Sequence, residues 1–399
     1  MARTETSAPP DGPVPGTDLD VAIVGAGLGG LYALHRLRGL GLKTRVYEAG
    51  SGVGGTWFWN RYPGARCDIE SLEYSYSFSE ELQAEWRWPE RYATQPVILK
   101  YINHVADRFD LRRDVQLDTR IASALYDRAE NRWALRTAGG EVVTARFCVM
   151  ATGNLSTPKV PDFRGIDDFE GEWHHTGLWP AEGVDFTGKR VGVVGTGSTA
   201  IQMIPLIARQ ARHLYVFQRT ANFSLPARNA PMDPERERRH KASHARRREE
   251  ARQTAFGVSG YPIPTKSALE VPEEERRRNY ERMWAEGGTI GFLNCYNDFL
   301  VSEGANETAA EFAREKIRSI VRDPAVAELL APKDHPIGSK RLCLDTGYYE
   351  TYNRDNVTLV DVRSAPIQEI TPRGVRTTDR EYELDAIAFA TGFDAMTGA

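Results

Sequence analysis

Residues 20–50, DVAIVGAGLGGLYALHRLRGLGLKTRVYEAG, decide the fold. An apolar run from Val21 to Val24 meets Gly25-x-Gly27-x-x-Gly30. Leu31, Leu34, Leu37 and Leu40 then recur at helical spacing as far as Gly41, and a second short strand ends at Glu48. The spacing predicts a βαβ unit. Gly25 permits the tight turn, Gly27 lets the backbone approach a pyrophosphate, and Gly30 lets helix and strand pack closely, while free N–H groups at the helix start face the anion. Glu48, 23 positions after Gly25, stands where a carboxylate accepts hydrogen bonds from ribose hydroxyls.

The pattern recurs at residues 189–220, KRVGVVGTGSTAIQMIPLIARQARHLYVFQRT, where Gly195-x-Gly197-x-x-Ala200 opens a second helix and the following strand runs into Arg219 and Thr220. Arg219, 24 positions after Gly195, takes the place of Glu48. An acid there suits a free 2′-hydroxyl and repels a 2′-phosphate, whereas a guanidinium binds that phosphate through charge-assisted hydrogen bonds. The first loop therefore suits FAD or NAD, and the second NADP. Alanine at position 200 is compatible with an NADP loop.

Each unit closes on an apolar strand that ends in Ala-Thr-Gly, at residues 151–153 and 390–392. The repeat predicts two related domains and an α/β fold of two Rossmann-like dinucleotide-binding domains. Gly25 and Thr152 are 127 positions apart and Gly195 and Thr391 are 196 apart, so the second unit carries about 69 more residues. The charged, helix-like stretch 226–335 accounts for them as a helical insertion in the second domain. The expected organisation is a disordered leader over 1–18, a flavin domain over 19–154 with 386–399, and an NADP domain over 155–225 with 336–385.

The composition narrows the function. A net charge of −4 over 399 residues gives no general reason to expect nucleic acid or an anionic membrane as partner, and glutamates interrupt the arginine run of the insertion. No segment is long and apolar enough to span a bilayer. Cys67, Cys148, Cys295 and Cys343 form no CxxC pair, which argues against zinc and against a disulfide reductase. No metal is expected, and the setting expected is the cytoplasm.

Three further stretches carry a resemblance. Phe169, Gly171, His175, Thr176, Trp179 and Pro180 fit FxGxxxHTxxWP; residues 54–68, GGTWFWNRYPGARCD, and residues 337–357, which include Lys340 and Arg341, follow the same family in order. Over nearly the whole chain after the leader, the sequence resembles the flavin-dependent Baeyer–Villiger monooxygenases, in particular the phenylacetone and steroid monooxygenase branch. The resemblance implies FAD and NADP as cofactors, a small-molecule ketone and O2 as substrates, a monomeric protein, and an ester or lactone made through a flavin peroxide. It places Gly25, Gly27, Gly30, Glu48, Thr56, Trp57, Asp68, Tyr74 and the backbone near Ile121 against FAD. It places Thr196, Gly197, Ser198, Thr199, Ala200, Ile201 and Gln202 against NADP, with Arg219, Thr220 and Lys340 on the 2′-phosphate. Arg341 is then the anion-stabilising catalytic group, oriented by Asp68 and also in reach of the cofactors. The FxGxxxHTxxWP residues are read as a hinge between the domains.

Two other readings stay open: a related N- or S-oxygenase, and a nucleotide-binding fragment with impaired catalysis. Relatives continue beyond FATGFDAMTGA with a segment that covers the flavin, so the resemblance also implies that residues 1–399 hold FAD weakly and oxygenate poorly.

Overall fold

The computed structural model describes residues 18–395. The leader up to residue 17 and residues 396–399 lie outside the described residues, and Asp18, expected in the leader, already begins the first strand. The chain forms two compact units.

The first unit runs to Phe58 and resumes over Ile102–Gly153. Its sheet contains β1 (Asp18–Val24), β2 (Thr44–Tyr47), β3 (Val115–Gln116), β4 (Ile121–Asp127), β5 (Arg132–Thr137) and β6 (Val142–Met150), in the order β3-β2-β1-β6-β5-β4. β1 lies between β2 and β6, parallel to both, and its Leu19, Val21, Ala22 and Ile23 are all buried. This is why it reads as a continuous apolar run and not as an alternating one. The helix Leu28–Gly39 packs close behind it. A Cβ on Gly30 would lie 1.9 Å from the Gly25 carbonyl oxygen, so only glycine fits there. Gly30→Ala is expected to destabilise the unit by at least about 1–3 kcal/mol, read as a lower urea midpoint at unchanged slope.

The second unit comprises Trp59–Tyr101 and the chain from Asn154 onward. A parallel sheet combines β7 (Glu172–His175), β8 (Arg190–Val194), β9 (His213–Gln218), β12 (Val357–Asp361) and β16 (Ala386–Phe389), ordered β12-β9-β8-β16-β7. β10 (Ser224–Pro226) pairs with β11 (Cys343–Asp345), and β13 (Ile367–Thr371), β14 (Gly374–Thr377) and β15 (Glu381–Glu383) form an antiparallel sheet. Between β10 and β11 the chain is helical. Asp233, Ser302 and Asp323 cap three of its helices through their side chains, two of them with proline in the first turn. Tyr280, Phe292, Phe299 and Phe312 fill a core of their own against the buried face of the helix Glu303–Ile320.

Two of the expected boundaries differ from the structure. Residues 386–389 were assigned to the flavin domain, but β16 is fully buried between β8 and β7 of the second sheet, which is where the repeated Ala-Thr-Gly would put it. Residues 59–101, expected in the first domain, pack with the second unit. The Arg91 guanidinium spans Glu70 and the carbonyls of Glu286 and Gly287, and the Tyr62 hydroxyl donates to Gln202 Oε1.

Candidate active site

In the first unit the Glu48 carboxylate is buried beside the glycine turn. It accepts from the N–H of Ala26 (2.7 Å) and of Gly50 (2.8 Å), which fixes its plane and leaves a lone pair on each oxygen for hydroxyls. Gly27 stands at the start of the helix Leu28–Gly39 and, having no side chain, supplies no cap of its own to the helix start. The neighbouring turn brings the backbone of Gly55 against Gly27, the Gly54 N–H donates to the Ala26 carbonyl, and Thr56 and buried Trp57 begin the next short helix. Ile121 opens β4 in the same unit. A bare backbone cradle, an uncapped helix start and a fixed buried carboxylate fit the pyrophosphate and ribose of a dinucleotide.

The second loop repeats this arrangement with different chemistry. Gly197 is the uncapped start of the helix Ser198–Gln210, in which Ala200 and Ile201 are buried in the core. Thr196 Oγ1 donates to the Thr220 carbonyl (2.7 Å), closing the loop onto the end of β9. Arg219 and Lys340 are both exposed and make no ion pair or side-chain hydrogen bond with the described residues. Two unpartnered cations suit a phosphate. Gln202 also holds the Asn60–Asp68 stretch: its Oε1 accepts from Tyr62, its Nε2 donates to the Arg66 carbonyl (3.2 Å), and Gly64 lies so close that a Cβ would meet the Gln202 carbonyl oxygen at 2.5 Å. Burial pushes the Tyr62 hydroxyl up to about 12, so it remains a donor.

That stretch ends at Asp68, which meets Arg341. The guanidinium grips the carboxylate with two parallel bonds, Nε to Oδ2 at 2.8 Å and Nη2 to Oδ1, leaving Nη1 unused. The Asp68 side chain is 13% exposed and that of Arg341 69%, so the acid is anchored and the cation presents an open edge. The hydrogen bonds from Arg341 to Asp68, opposed by burial, hold the guanidinium above its ordinary value, so its charge is permanent. Asp68 and Ile69 line a cavity of about 600 Å³ bounded by the helical region through Arg236, His240, Tyr261 and Met283. Tyr74, half-buried, lies on the same stretch of the second unit. Cys67 and Cys343 flank the pair as buried thiols raised to about 12 and about 11 by burial, so neither is a nucleophile at neutral pH.

The model of the family Pyridine nucleotide-disulphide oxidoreductase matches residues 19–253, although the four cysteines are all free. A Baeyer-Villiger monooxygenase of Pseudooceanicola batsensis is 48% identical over 96% of this chain and 70% of its own length. The chain belongs to the Baeyer–Villiger monooxygenase family. Phenazine N-monooxygenase PhzNO1 of Lysobacter antibioticus is 43% identical, over 96% of this chain and 71% of that protein. Oxidized steroid monooxygenase bound to NADP superposes with a TM-score of 0.91 at 57% identity, covering 95% of this chain and 72% of that one. OTEMO in complex with FAD and NADP gives 0.92 at 46%, over 95% and 72%.

In this Baeyer–Villiger chain the FxGxxxHTxxWP fingerprint is a built part of the second unit. β7 pairs with β16 so that His175 lies beside Phe389, Phe169 and Trp179 are buried in two different cores, and the Gly183 N–H donates to the Pro180 carbonyl. The Gly177 N–H donates to His175 Nδ1, so the proton sits on Nε2 and points at Thr391 Oγ1, which in turn donates to the Lys159 carbonyl. Burial lowers the His175 value and keeps the ring neutral. Its imidazole ties the fingerprint to the second Ala-Thr-Gly, and Thr176, the next residue, is fully buried.

Sequence reasoning missed Asp345. Its carboxyl is raised from 3.8 to about 6, chiefly by burial, with Glu350 adding to the rise and Ser224, Tyr348 and Gly347 opposing it through hydrogen bonds. A folded value above the unfolded one means stability that is complete below about 3.8 and lost as pH rises through about 6. From about pH 4 to about pH 7 Asp345→Asn should therefore gain on the wild type by up to roughly 3 kcal/mol in unfolding free energy. Parallel pH profiles for the two proteins would contradict this.

Proposed function

We propose that the chain is an FAD-containing, NADPH-dependent monooxygenase that converts ketones to esters or lactones with O2. The observation that carries the reading is the Arg341 fork on Asp68, a carboxylate that also lines the cavity. The first glycine loop, Glu48, Thr56, Trp57 and the start of β4 at Ile121 hold FAD. Residues 196–202 hold the NADP pyrophosphate, and Arg219, Thr220 and Lys340 its 2′-phosphate. FAD, when bound, accepts hydride from NADPH and delivers one oxygen atom of O2 to the substrate.

The residues of the chain do the rest. Arg341 offers Nη1 and a fixed charge to the carbonyl oxygen as it becomes negative, and gives up no proton, which suits guanidinium better than ammonium. Asp68 aims it. The cavity admits a small ketone and its polar walls fix the orientation. The protein acts in the cytoplasm as a monomer; no helix among the described residues is long and apolar enough to cross a membrane. Likeness to a phenazine N-monooxygenase favours nitrogen oxidation as the second reading, and product analysis with a ketone and an aromatic N-heterocycle separates the two.

The first test is the absorbance spectrum of the purified protein. NADPH without air should bleach a bound flavin, and air should restore it; a colourless protein that takes up no added FAD would overturn the reading. Coenzyme choice tests the second loop. Arg219→Ala should erode a strong preference for NADPH over NADH, chiefly by raising KM for NADPH about 10-fold or more, the loss expected for one charge-assisted bond. Equal use of both coenzymes by the wild type would remove Arg219 from the phosphate site.

A further inference from the structure

Arg341 sits two residues before β11, a strand of three residues whose only partner is the equally short β10. A two-stranded ladder of this length does not hold itself. What holds it is a buried polar chain. Asp345, at the end of β11, is 7% exposed; its Oδ2 accepts from Ser224 Oγ (2.9 Å) on β10, and its Oδ1 from the N–H of Gly347 (3.2 Å) and Tyr348 (3.3 Å). The Ser224 N–H donates to the Tyr349 hydroxyl (3.2 Å), which donates to the Asn222 carbonyl (3.4 Å). Asn222 Nδ2 donates to the Thr196 carbonyl (2.8 Å) in the second glycine loop. A shorter path runs beside it: Ser198 Oγ, at the start of the helix that follows the loop, donates to Cys343 Sγ (3.4 Å).

We propose that Asp345, acting through Ser224 and Tyr349, is a positioning residue that locks the strand carrying Arg341 to the loop that receives NADP, so that the seating of the coenzyme and the aim of the arginine are coupled. The proposal rests on the reading of Arg341 given above. A turn of the Asp-Thr-Gly kind needs only Oδ1, which asparagine supplies equally well. The second oxygen, buried at a cost, is used solely to accept from Ser224 across the strand pair. Asparagine would put an N–H donor against that hydroxyl and reverse the link while keeping the turn. Glu350 is the charged group that acts on Asp345; Cys343, Tyr348, Tyr349 and Ser224 supply the other polar groups around it.

The test uses the FAD-supplied protein with NADPH, O2 and a ketone, and measures the fraction of consumed NADPH recovered as ester and the remainder as hydrogen peroxide. Asp345→Asn and the volume-conserving Tyr349→Phe should lower the ester fraction about tenfold, within the roughly 10²-fold that a misplaced catalytic group costs. The double variant should be little worse than either alone, because one chain is broken twice. The wild type should lose ester fraction as pH falls through about 6, and Asp345→Asn should not. Wild-type ester fractions in both variants overturn the proposal whatever happens to their melting temperatures, as does an additive double variant. Arg341→Ala, run alongside, separates the two ideas: if it still forms ester the reading of Arg341 fails, and if it forms none while Asp345→Asn is unimpaired only the coupling fails.

Discussion

Arg341→Ala should cut ester formation by about 10²- to 10³-fold, the loss seen when one preorganised donor to a developing oxyanion is removed. NADPH consumption should continue, with hydrogen peroxide replacing ester, because the dinucleotide loops do not depend on the guanidinium. The same substitution leaves Asp68, 13% exposed, without its partner, so Asp68→Ala with Arg341 intact is the informative companion. The cation remains but loses its aim, and activity should fall less. Arg341→Lys keeps the charge and loses the fork, since an ammonium cannot make two parallel bonds to one carboxylate. It should resemble the alanine variant more than the wild type. Near wild-type ester formation in Arg341→Ala would take Arg341 out of the chemistry.

Glu48→Ala has the second largest expected effect, and it falls on flavin retention. The carboxylate satisfies two N–H groups, of Ala26 and Gly50, that its loss would strand next to the first glycine turn. Each buried orphan donor costs about 1–3 kcal/mol, and the ribose contact goes as well. The orphaned donors weaken the free and the FAD-bound protein alike, so the affinity change comes from the lost ribose contact, and FAD affinity should drop by about 10- to 10²-fold, read as flavin lost on gel filtration and as fluorescence released into solution. Glu48→Gln, which still offers one acceptor, should be intermediate. A Glu48→Ala protein that retains flavin like the wild type would show that Glu48 only braces the loop.

What could be read in the sequence was what repeats locally. The turn-helix-strand of Gly25–Glu48 and its echo at Gly195–Arg219 are set by near neighbours, so their placement beside parallel strands follows from spacing alone. The assignment of 386–389 failed for the opposite reason. An apolar strand carries no mark of which sheet receives it, and β16 found its place through parallel neighbours at β7 and β8, about two hundred positions earlier in the chain. The packing of Tyr62 and Arg66 onto Gln202 is likewise long-range, separated by 140 and 136 positions. Asp345 looked like any Asp-Thr-Gly turn, because the residue that makes it unusual, Ser224, lies 121 positions away. The Asp68–Arg341 pair, 273 positions apart, was legible only through family resemblance.

The most direct test of the account is the fate of isotopically labelled O2 when the protein, supplied with FAD, NADPH and a simple ketone, turns over. An ester or lactone carrying one labelled oxygen atom is expected for each NADPH spent on product, and it should nearly disappear in Arg341→Ala. Binding of both cofactors with all the label recovered as peroxide in the wild type, and no labelled ester, would contradict it.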